Sequence, residues 1–173
     1  MSAVPRTLHL TPPDARRAGL VIVGGRTDDS LIELCRGFAE QGYEVMAPVV
    51  DALDAAVSSL AGPVVMLSLG EAAPWVLAAS VRLPVAAISL FDPPVEALAI
   101  APNCPVISHF SLTRGKALAA ELDALRDRCP ELVVYPYAAE VGFIFGDSDA
   151  ARLARLRTLQ LFHRAGGKAE MGG

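Results

Sequence analysis

The strongest constraint on the fold is a repeated alternation of short apolar runs with helical segments. A buried parallel sheet reads as short apolar runs rich in β-branched residues, and its strands are joined through helices that cover both faces. The pattern therefore predicts an α/β fold, a three-layer α/β/α sandwich with a mostly parallel sheet. "TLHL", residues 7–10, predicts a further strand at one edge. The six main runs are residues 19–25, 43–50, 63–69, 85–91, 105–111 and 131–137.

Composition agrees with a sheet that is buried on both faces. Of the 173 residues, 53% are hydrophobic and 20% are charged. This length suits one core, so we expect one domain over residues 1–165 and a flexible tail over residues 166–173. No apolar stretch reaches the roughly 18 residues that a membrane-spanning helix needs. We therefore expect no membrane association.

Charge and cysteine content narrow the classes of partner. The formal net charge is -4 and the basic residues are spread along the chain, so we expect no binding to nucleic acid. Cys35, Cys104 and Cys129 form neither a C-x-x-C pair nor a metal-binding spacing, which favours free thiols and predicts no metal or cofactor. The first residues lack the features of a secretory signal, so a cytoplasmic location is expected.

Capping signals set the predicted helix boundaries. Ser30 and Glu33 form an S-x-x-E capping box, and Gly42 stands where the C-terminal cap of that helix is expected. Asp147 is expected to cap the last helix, which ends near His163. The three remaining helices are predicted at residues 51–60, 71–81 and 116–128.

The segment "VVMLSLGEAAPW", residues 64–75, suggests a site for chemistry. Ligands of open parallel sheets bind at the carboxyl ends of the strands, and here a buried strand runs into a serine, a glycine and a helix. The nucleophile elbow of α/β-hydrolases has the pattern G-x-S-x-G. The corresponding residues are Met66, Ser68 and Gly70, so the second glycine is present and methionine replaces the first. The pattern predicts Ser68 at the nucleophile position.

Several stretches together resemble the dienelactone hydrolase family of the α/β-hydrolase superfamily. The segment from residue 64 resembles the family's elbow, and residues 19–50 resemble its first strand, helix and second strand. "CPVISHFSLTRG" resembles the strand that continues G-H-F-G-E-x-D in the family, and "ELVVYPYAAEVGF" resembles its Y-P-x-A-x-H-G-F stretch. The resemblance covers about residues 19–164.

The resemblance implies a shortened and catalytically degenerate member of that family. It places the nucleophile on Ser68, the triad acid near Arg114 and the triad histidine on Val141. A serine hydroxyl needs a base to take its proton and a third group to orient that base, and valine supplies neither. We therefore expect little or no hydrolase activity. His109 matches a non-catalytic histidine of the family and is expected to be structural.

Two alternatives remain open at this stage. An atypical esterase or lactone hydrolase would use Ser68 as nucleophile, with Glu140, Asp92 or a residue from a partner chain as the assisting base. A binding domain of another type would hold an anionic group at "VGGRTDD" through its glycines and the following helix start. The ligand expected in the first two readings is a small ester, lactone or carboxylate. The expected binding residues are Gly24, Gly25, Arg26, Leu69, Gly70, Glu71 and Asp92.

The resemblance also implies a reduced wall beside the site. In the family a long connection joins the second strand to the elbow strand, whereas only residues 51–62 make that connection here. The shorter connection would leave apolar surface that a second copy of the chain could cover. A homo-oligomer, in the simplest case a homodimer, is therefore one expected arrangement.

Overall fold

A seven-stranded sheet forms the centre of the computed structural model, which describes residues 7–25, 27–115 and 117–166. The strands are Leu8–Leu10 (β1), Ala18–Val23 (β2), Tyr43–Ala47 (β3), Val64–Leu69 (β4), Val85–Phe91 (β5), Val106–Ser111 (β6) and Val133–Tyr137 (β7). Their order is β1-β3-β2-β4-β5-β6-β7, with β1 antiparallel to β3 and every other pair parallel. The predicted mostly parallel sheet and its edge strand are confirmed.

Helices cover both faces of this sheet. They are Asp29–Glu40 (α1), Leu53–Ser59 (α2), Ala73–Arg82 (α3), Ala117–Arg128 (α4) and Asp149–Ala165 (α5). Side chains of α1 and α5 share one apolar core with one face of the sheet, and those of α2, α3 and α4 share a second core with the other face. The predicted three-layer sandwich is therefore confirmed. Within the described ranges, no helix combines the length and apolar character that crossing a bilayer requires.

Two predicted helix caps are wrong by one or two residues. Asp28 caps α1, since its Oδ1 accepts a hydrogen bond from the Leu31 amide at 3.2 Å, and Ser30 lies inside the first turn. Ser148 caps α5 in the same way, accepting from the Ala151 amide at 3.2 Å, so Asp147 precedes the helix. Aspartate and serine are equally good caps, so neighbouring candidates cannot be ranked by residue type alone. Gly42 follows α1 with φ +92°, as its predicted capping position requires.

The helix after β4 begins later than residue 71. A single 3-10 turn, Gly70–Ala72, separates β4 from α3, and Pro74 is the second residue of α3. Amides in the first turn of a helix have no partner within the helix, so the missing N–H of proline removes no hydrogen bond there. Pro74 therefore marks the start of α3.

His109 on β6 belongs to a buried polar network beneath the carboxyl end of the sheet. Its Nδ1 lies 3.0 Å from the Tyr137 hydroxyl and its Nε2 lies 3.2 Å from the Thr158 hydroxyl. The ring also stacks on Phe91, with 4.4 Å between ring centroids. Burial, assisted by the nearby Arg157 guanidinium, lowers the pKa of His109 to about 3. The imidazole is therefore neutral near pH 7, and these contacts support the structural role predicted for it.

Candidate functional site

A cavity of about 420 Å³ lies at the carboxyl ends of the strands. This is the place where an open parallel sheet is expected to hold a ligand. The turns after β2, β4 and β5 contribute to its lining, together with the segments that follow β6 and β7. The lining residues are Gly25, Leu69, Gly70, Glu71, Phe91, Asp92, Arg114, Val141, Gly142, Phe143, Ile144 and Phe145.

The sharp turn after β4 is centred on Gly70, two residues beyond the predicted position. Ser68 lies within β4, paired with Val23 on one side and Leu90 on the other. Gly70 has φ +56°, which is the left-handed region that glycine adopts without steric cost. The placement of the elbow turn at Ser68 is therefore wrong, because strand pairing continues through that residue.

The Ser68 side chain lies inside the protein. Its exposure is 0%, and its hydroxyl has no hydrogen-bond partner among the residues that the structure describes. It occupies the strand position between Val23 and Leu90, both of which belong to the core shared with α3. Ser68 does not line the cavity. In this conformation its hydroxyl cannot meet a ligand bound there.

The elbow pattern can be matched again with its centre moved by two residues. Ser68, Gly70 and Ala72 then take the first small position, the nucleophile position and the second small position of small-x-nucleophile-x-small. A Cβ built on Gly70 would have no atom within 4 Å apart from those of Gly70 itself and its two chain neighbours. A side chain at position 70 would therefore enter open space, where the chain carries only hydrogen. The preference of glycine for positive φ is the sequence signal that could have identified this register.

Asp92 joins the two segments that form the far wall of the cavity. It immediately follows β5 and has φ +48°, the one positive φ outside glycine in the described ranges. The Ser111 amide donates to its Oδ1 at 2.6 Å, and the Gly142 amide also donates to its carboxyl group. Burial raises the pKa of Asp92, while these hydrogen bonds and the positive charge of Arg114 act in the opposite direction. Asp92 thus connects the end of β6 with the chain after β7.

Arg114 and Val141, in the slots assigned to the triad acid and histidine, both line the cavity. An Arg114 Nη1 donates to the Pro93 carbonyl at 2.9 Å. No carboxylate in the described ranges lies within 4.0 Å of this exposed guanidinium. Val141 is 62% exposed and immediately precedes Gly142. The cavity therefore brings together position 70, Arg114 and Val141, with a cation and an apolar side chain in the two slots.

The other predicted binding residues divide into two groups. Gly25, Leu69, Gly70, Glu71 and Asp92 line the cavity, and their role in binding stays a prediction. Two other predicted residues, Gly24 and Glu140, are not part of its lining. A Cβ on Gly24 would lie 2.9 Å from Leu69 Cδ1, so this glycine allows close packing, and Glu140 is exposed. Arg26 lies outside the described residues, as does the predicted tail from residue 167 onwards.

No histidine of this chain reaches the cavity. The sequence contains three, all within the described ranges. His9 on the edge strand contacts Glu44 at 2.9 Å, His109 lies in the buried network, and His163 on α5 stacks on Tyr43 with 5.9 Å between ring centroids. The imidazole base that activates serine in hydrolases with a Ser-His-Asp triad is therefore absent from the site.

Sequence reasoning missed most of the apolar side chains that line the cavity, with Leu69 as the exception among the predicted binding residues. Phe91 ends β5, and Phe143, Ile144 and Phe145 form a short helical turn after β7. Leu69 adds a fifth apolar side chain. The run "GFIF" after Val141 carries the signal, because three large apolar residues following a glycine predict a packed surface. We refer to Leu69, Phe91, Phe143, Ile144 and Phe145 below as the apolar wall.

The two hydrogen bonds that Asp92 accepts predict a difference in stability between two variants at this position. Asp92→Ala is expected to lower the free energy of unfolding by about 2 kcal/mol, because it leaves two backbone amides without their acceptor. Asp92→Asn retains a carbonyl acceptor and tolerates positive φ, so its loss should be about 1 kcal/mol or less. Urea unfolding of both variants at pH 7 measures this difference. Equal losses in the two variants would show that Asp92 does not act through its acceptor oxygens.

Comparison with known proteins gives matches at the level of structure. No protein-family model matches the chain, and no curated protein sequence matches it. Among solved structures, a dienelactone hydrolase from Anabaena variabilis has a TM-score of 0.67 at 12% identity, covering 92% of this chain and 91% of that one. A thioesterase domain from the curacin biosynthetic pathway also has a TM-score of 0.67, at 11% identity, with 87% and 93% covered. A structure of the metagenome-derived lipolytic enzymes LipS and LipT gives 0.63 at 14% identity, with 92% and 99% covered.

Proposed function

We propose that this protein, whose sheet and helices form an α/β-hydrolase-like fold, binds a small molecule in the cavity with little or no hydrolysis. The observation that carries the proposal is Gly70, which occupies the left-handed turn after β4 with open space where a nucleophile would project. The structural relatives support the fold. The absence of hydrolysis rests on the residues of this chain.

The chemistry of acyl transfer explains why the site is unsuited to hydrolysis. A hydrolase of this type needs a nucleophile, a base that takes its proton and a group that orients the base. Position 70 offers no hydroxyl or thiol, and no imidazole lines the cavity. Loss of acid–base assistance alone removes about 10²- to 10⁴-fold in rate. The Glu71 amide follows the turn, at the position that contributes an oxyanion-hole donor in this fold, so polar binding groups remain.

An atypical esterase that uses Ser68 is the second candidate. The observation that favours it is the buried Ser68 hydroxyl, which has no partner in the described ranges and lies two residues before the turn. This candidate requires β4 to open at its end so that Ser68 can enter the cavity. It also requires Asp92 or Glu140 to act as the base, although a carboxylate is a much poorer base toward a hydroxyl than an imidazole is.

One experiment separates the two candidates. The wild-type protein and Ser68→Ala are incubated with p-nitrophenyl acetate, p-nitrophenyl butyrate and a fluorophosphonate probe, beside an active serine esterase as positive control. We expect no labelling, and turnover indistinguishable between the two proteins. Labelling that disappears in Ser68→Ala would establish the esterase. Stoichiometric labelling that persists in Ser68→Ala would reveal a nucleophile elsewhere and would also overturn the proposal.

A further inference from the structure

The polar groups of the cavity are few and unequal. Three ionisable side chains line the cavity in the described ranges. They are the guanidinium of Arg114 and the carboxyl groups of Asp92 and Glu71. One N–H of Arg114 donates to the Pro93 carbonyl, and no carboxylate of the described residues lies within 4.0 Å of its guanidinium. Most of its five N–H donors are therefore free for a ligand. The cation is therefore the group with unused hydrogen-bonding capacity.

The two carboxyl groups are less available than the guanidinium. Asp92 already accepts hydrogen bonds from two backbone amides, and burial raises its pKa, which favours its neutral form relative to a carboxyl in water. Glu71 is exposed, so water screens its charge. Neither carboxylate lies within 4.0 Å of the Arg114 guanidinium, although its charge acts on Asp92 from a greater distance. The cavity can therefore accept a negative charge near Arg114 despite containing these two acids.

The remainder of the cavity is suited to an apolar group. The apolar wall supplies five side chains, three of them phenylalanines, and Val141 adds another apolar side chain. A volume of about 420 Å³ lies in the range of small-molecule sites and is sufficient for one aromatic ring or a branched chain with a polar head. An apolar wall with a free guanidinium indicates an amphiphilic ligand of small size.

We propose that the cavity binds a compact organic monocarboxylate, with the carboxylate on the Arg114 guanidinium and the apolar body against the apolar wall. The proposal rests on the proposed function, because a site without a nucleophile holds its ligand unchanged. Guanidinium and carboxylate are matched in geometry and charge, and charge-assisted pairs are stronger than neutral ones. Arg114 therefore determines the class of ligand, and the apolar wall determines its size.

The test compares acids with neutral molecules of the same shape. Benzoate, phenylacetate and isovalerate are titrated into the ¹⁵N-labelled protein, each beside its primary amide, and chemical-shift changes give the dissociation constants. We expect at least one acid to bind about tenfold more tightly than its amide, since the charged pair is lost in the amide. The shifted amides are expected to include those of Gly25, Gly70 and Gly142. If no acid binds below 10 mM, if acids and amides bind equally, or if the shifts lie elsewhere, the proposal is wrong.

Variants assign the binding to Arg114. Arg114→Gln should weaken binding of the best acid by about tenfold and leave its amide unchanged, while Glu71→Gln should tighten acid binding by about two- to fivefold. The matched control is Arg126→Gln, an exposed arginine on α4 that pairs with Asp123 and is not part of the cavity lining. Equal weakening in Arg114→Gln and Arg126→Gln would reduce the effect to net charge and overturn the assignment.

The result of the acid titrations is independent of the result of the esterase assay. Binding without preference for acids would overturn the proposed ligand class while leaving a protein that does not hydrolyse esters. Ser68-dependent labelling in the fluorophosphonate assay would overturn the proposed function, whatever the acids do in the titration. The two failures are therefore observed in different experiments and with different variants.

Discussion

In Gly70→Cys protein, the new thiol is expected to react with iodoacetamide at least about 100-fold faster than the new thiol in Ser68→Cys protein. A side chain at position 70 enters the open cavity, whereas position 68 has 0% exposure within β4. Reagent reaches position 68 only when the end of the strand opens. The ratio of the two labelling rates therefore measures which residue occupies the tip of the turn.

The native cysteines provide the background for this measurement. Burial raises the pKa of Cys35 to about 12 and that of Cys104 to about 11, so both thiols hold little thiolate at pH 8. Peptide mapping by mass spectrometry separates their labelling from that of the introduced cysteine. Comparable rates for the two variants, or faster labelling at position 68, would place the tip of the turn at Ser68 and support the atypical esterase.

Acid is expected to destabilise this protein through His109. The folded protein holds the pKa of His109 at about 3, whereas a histidine in an unfolded chain titrates near pH 6.5. Between these values the unfolded chain binds a proton that the folded protein does not, so stability falls as the pH is lowered. At 1.36 kcal/mol per pH unit, this residue alone should lower the free energy of unfolding by about 3 kcal/mol between pH 7 and pH 4.5.

His109→Phe tests this expectation directly. Phenylalanine can still stack on Phe91 and does not titrate, so the variant should lose much less stability between pH 7 and pH 4.5 than the wild type. Urea unfolding at both pH values gives the two differences. The comparison variant is His163→Gln. The pKa of His163 is also lowered, but its ring lies near the surface, so replacing it should change the pH dependence of stability less. An unchanged pH dependence in His109→Phe would show that His109 is not the source.

The sheet could be predicted from the sequence because its strands carry an unambiguous pattern. The runs at residues 19–25, 63–69 and 85–91 are nearly continuous in apolar residues, which only a strand buried on both faces requires at that length. Helices α1 to α5 fill the intervals between or after these runs. The edge strand β1 was also predictable, from four residues beside a proline-rich segment.

The exact ends of elements depend on interactions that the sequence does not rank. Asp28 and Ser30 are both good helix caps, and only the path of the chain after β2 selects the first. The elbow register failed for a related reason. The hydroxyl of Ser68 favoured it as the nucleophile at the turn. In the structure Ser68 pairs with Val23 and Leu90, so the strand continues through it, and these partners are distant in sequence.

The site was predictable in its location and only partly in its residues. The carboxyl ends of parallel strands indicated Gly25, Gly70, Glu71 and Asp92, and all four line the cavity. Phe143, Ile144 and Phe145 were missed because they lie after β7, far from the turn in sequence. The double hydrogen bond to Asp92 was also beyond sequence reasoning, since it joins segments about 20 and 50 residues away.

The left-handed turn at Gly70 also affects the balance between stability and activity. In an active α/β-hydrolase, the corresponding residue carries a side chain on a strained turn, at a cost of about 1–2 kcal/mol for a left-handed backbone. Glycine adopts a left-handed turn without that cost, and Gly70 is the residue at this turn here. Because natural domains are stable by only about 5–15 kcal/mol, this cost is a substantial fraction of the total. Placing a nucleophile at this turn would therefore require compensating stability elsewhere in the fold.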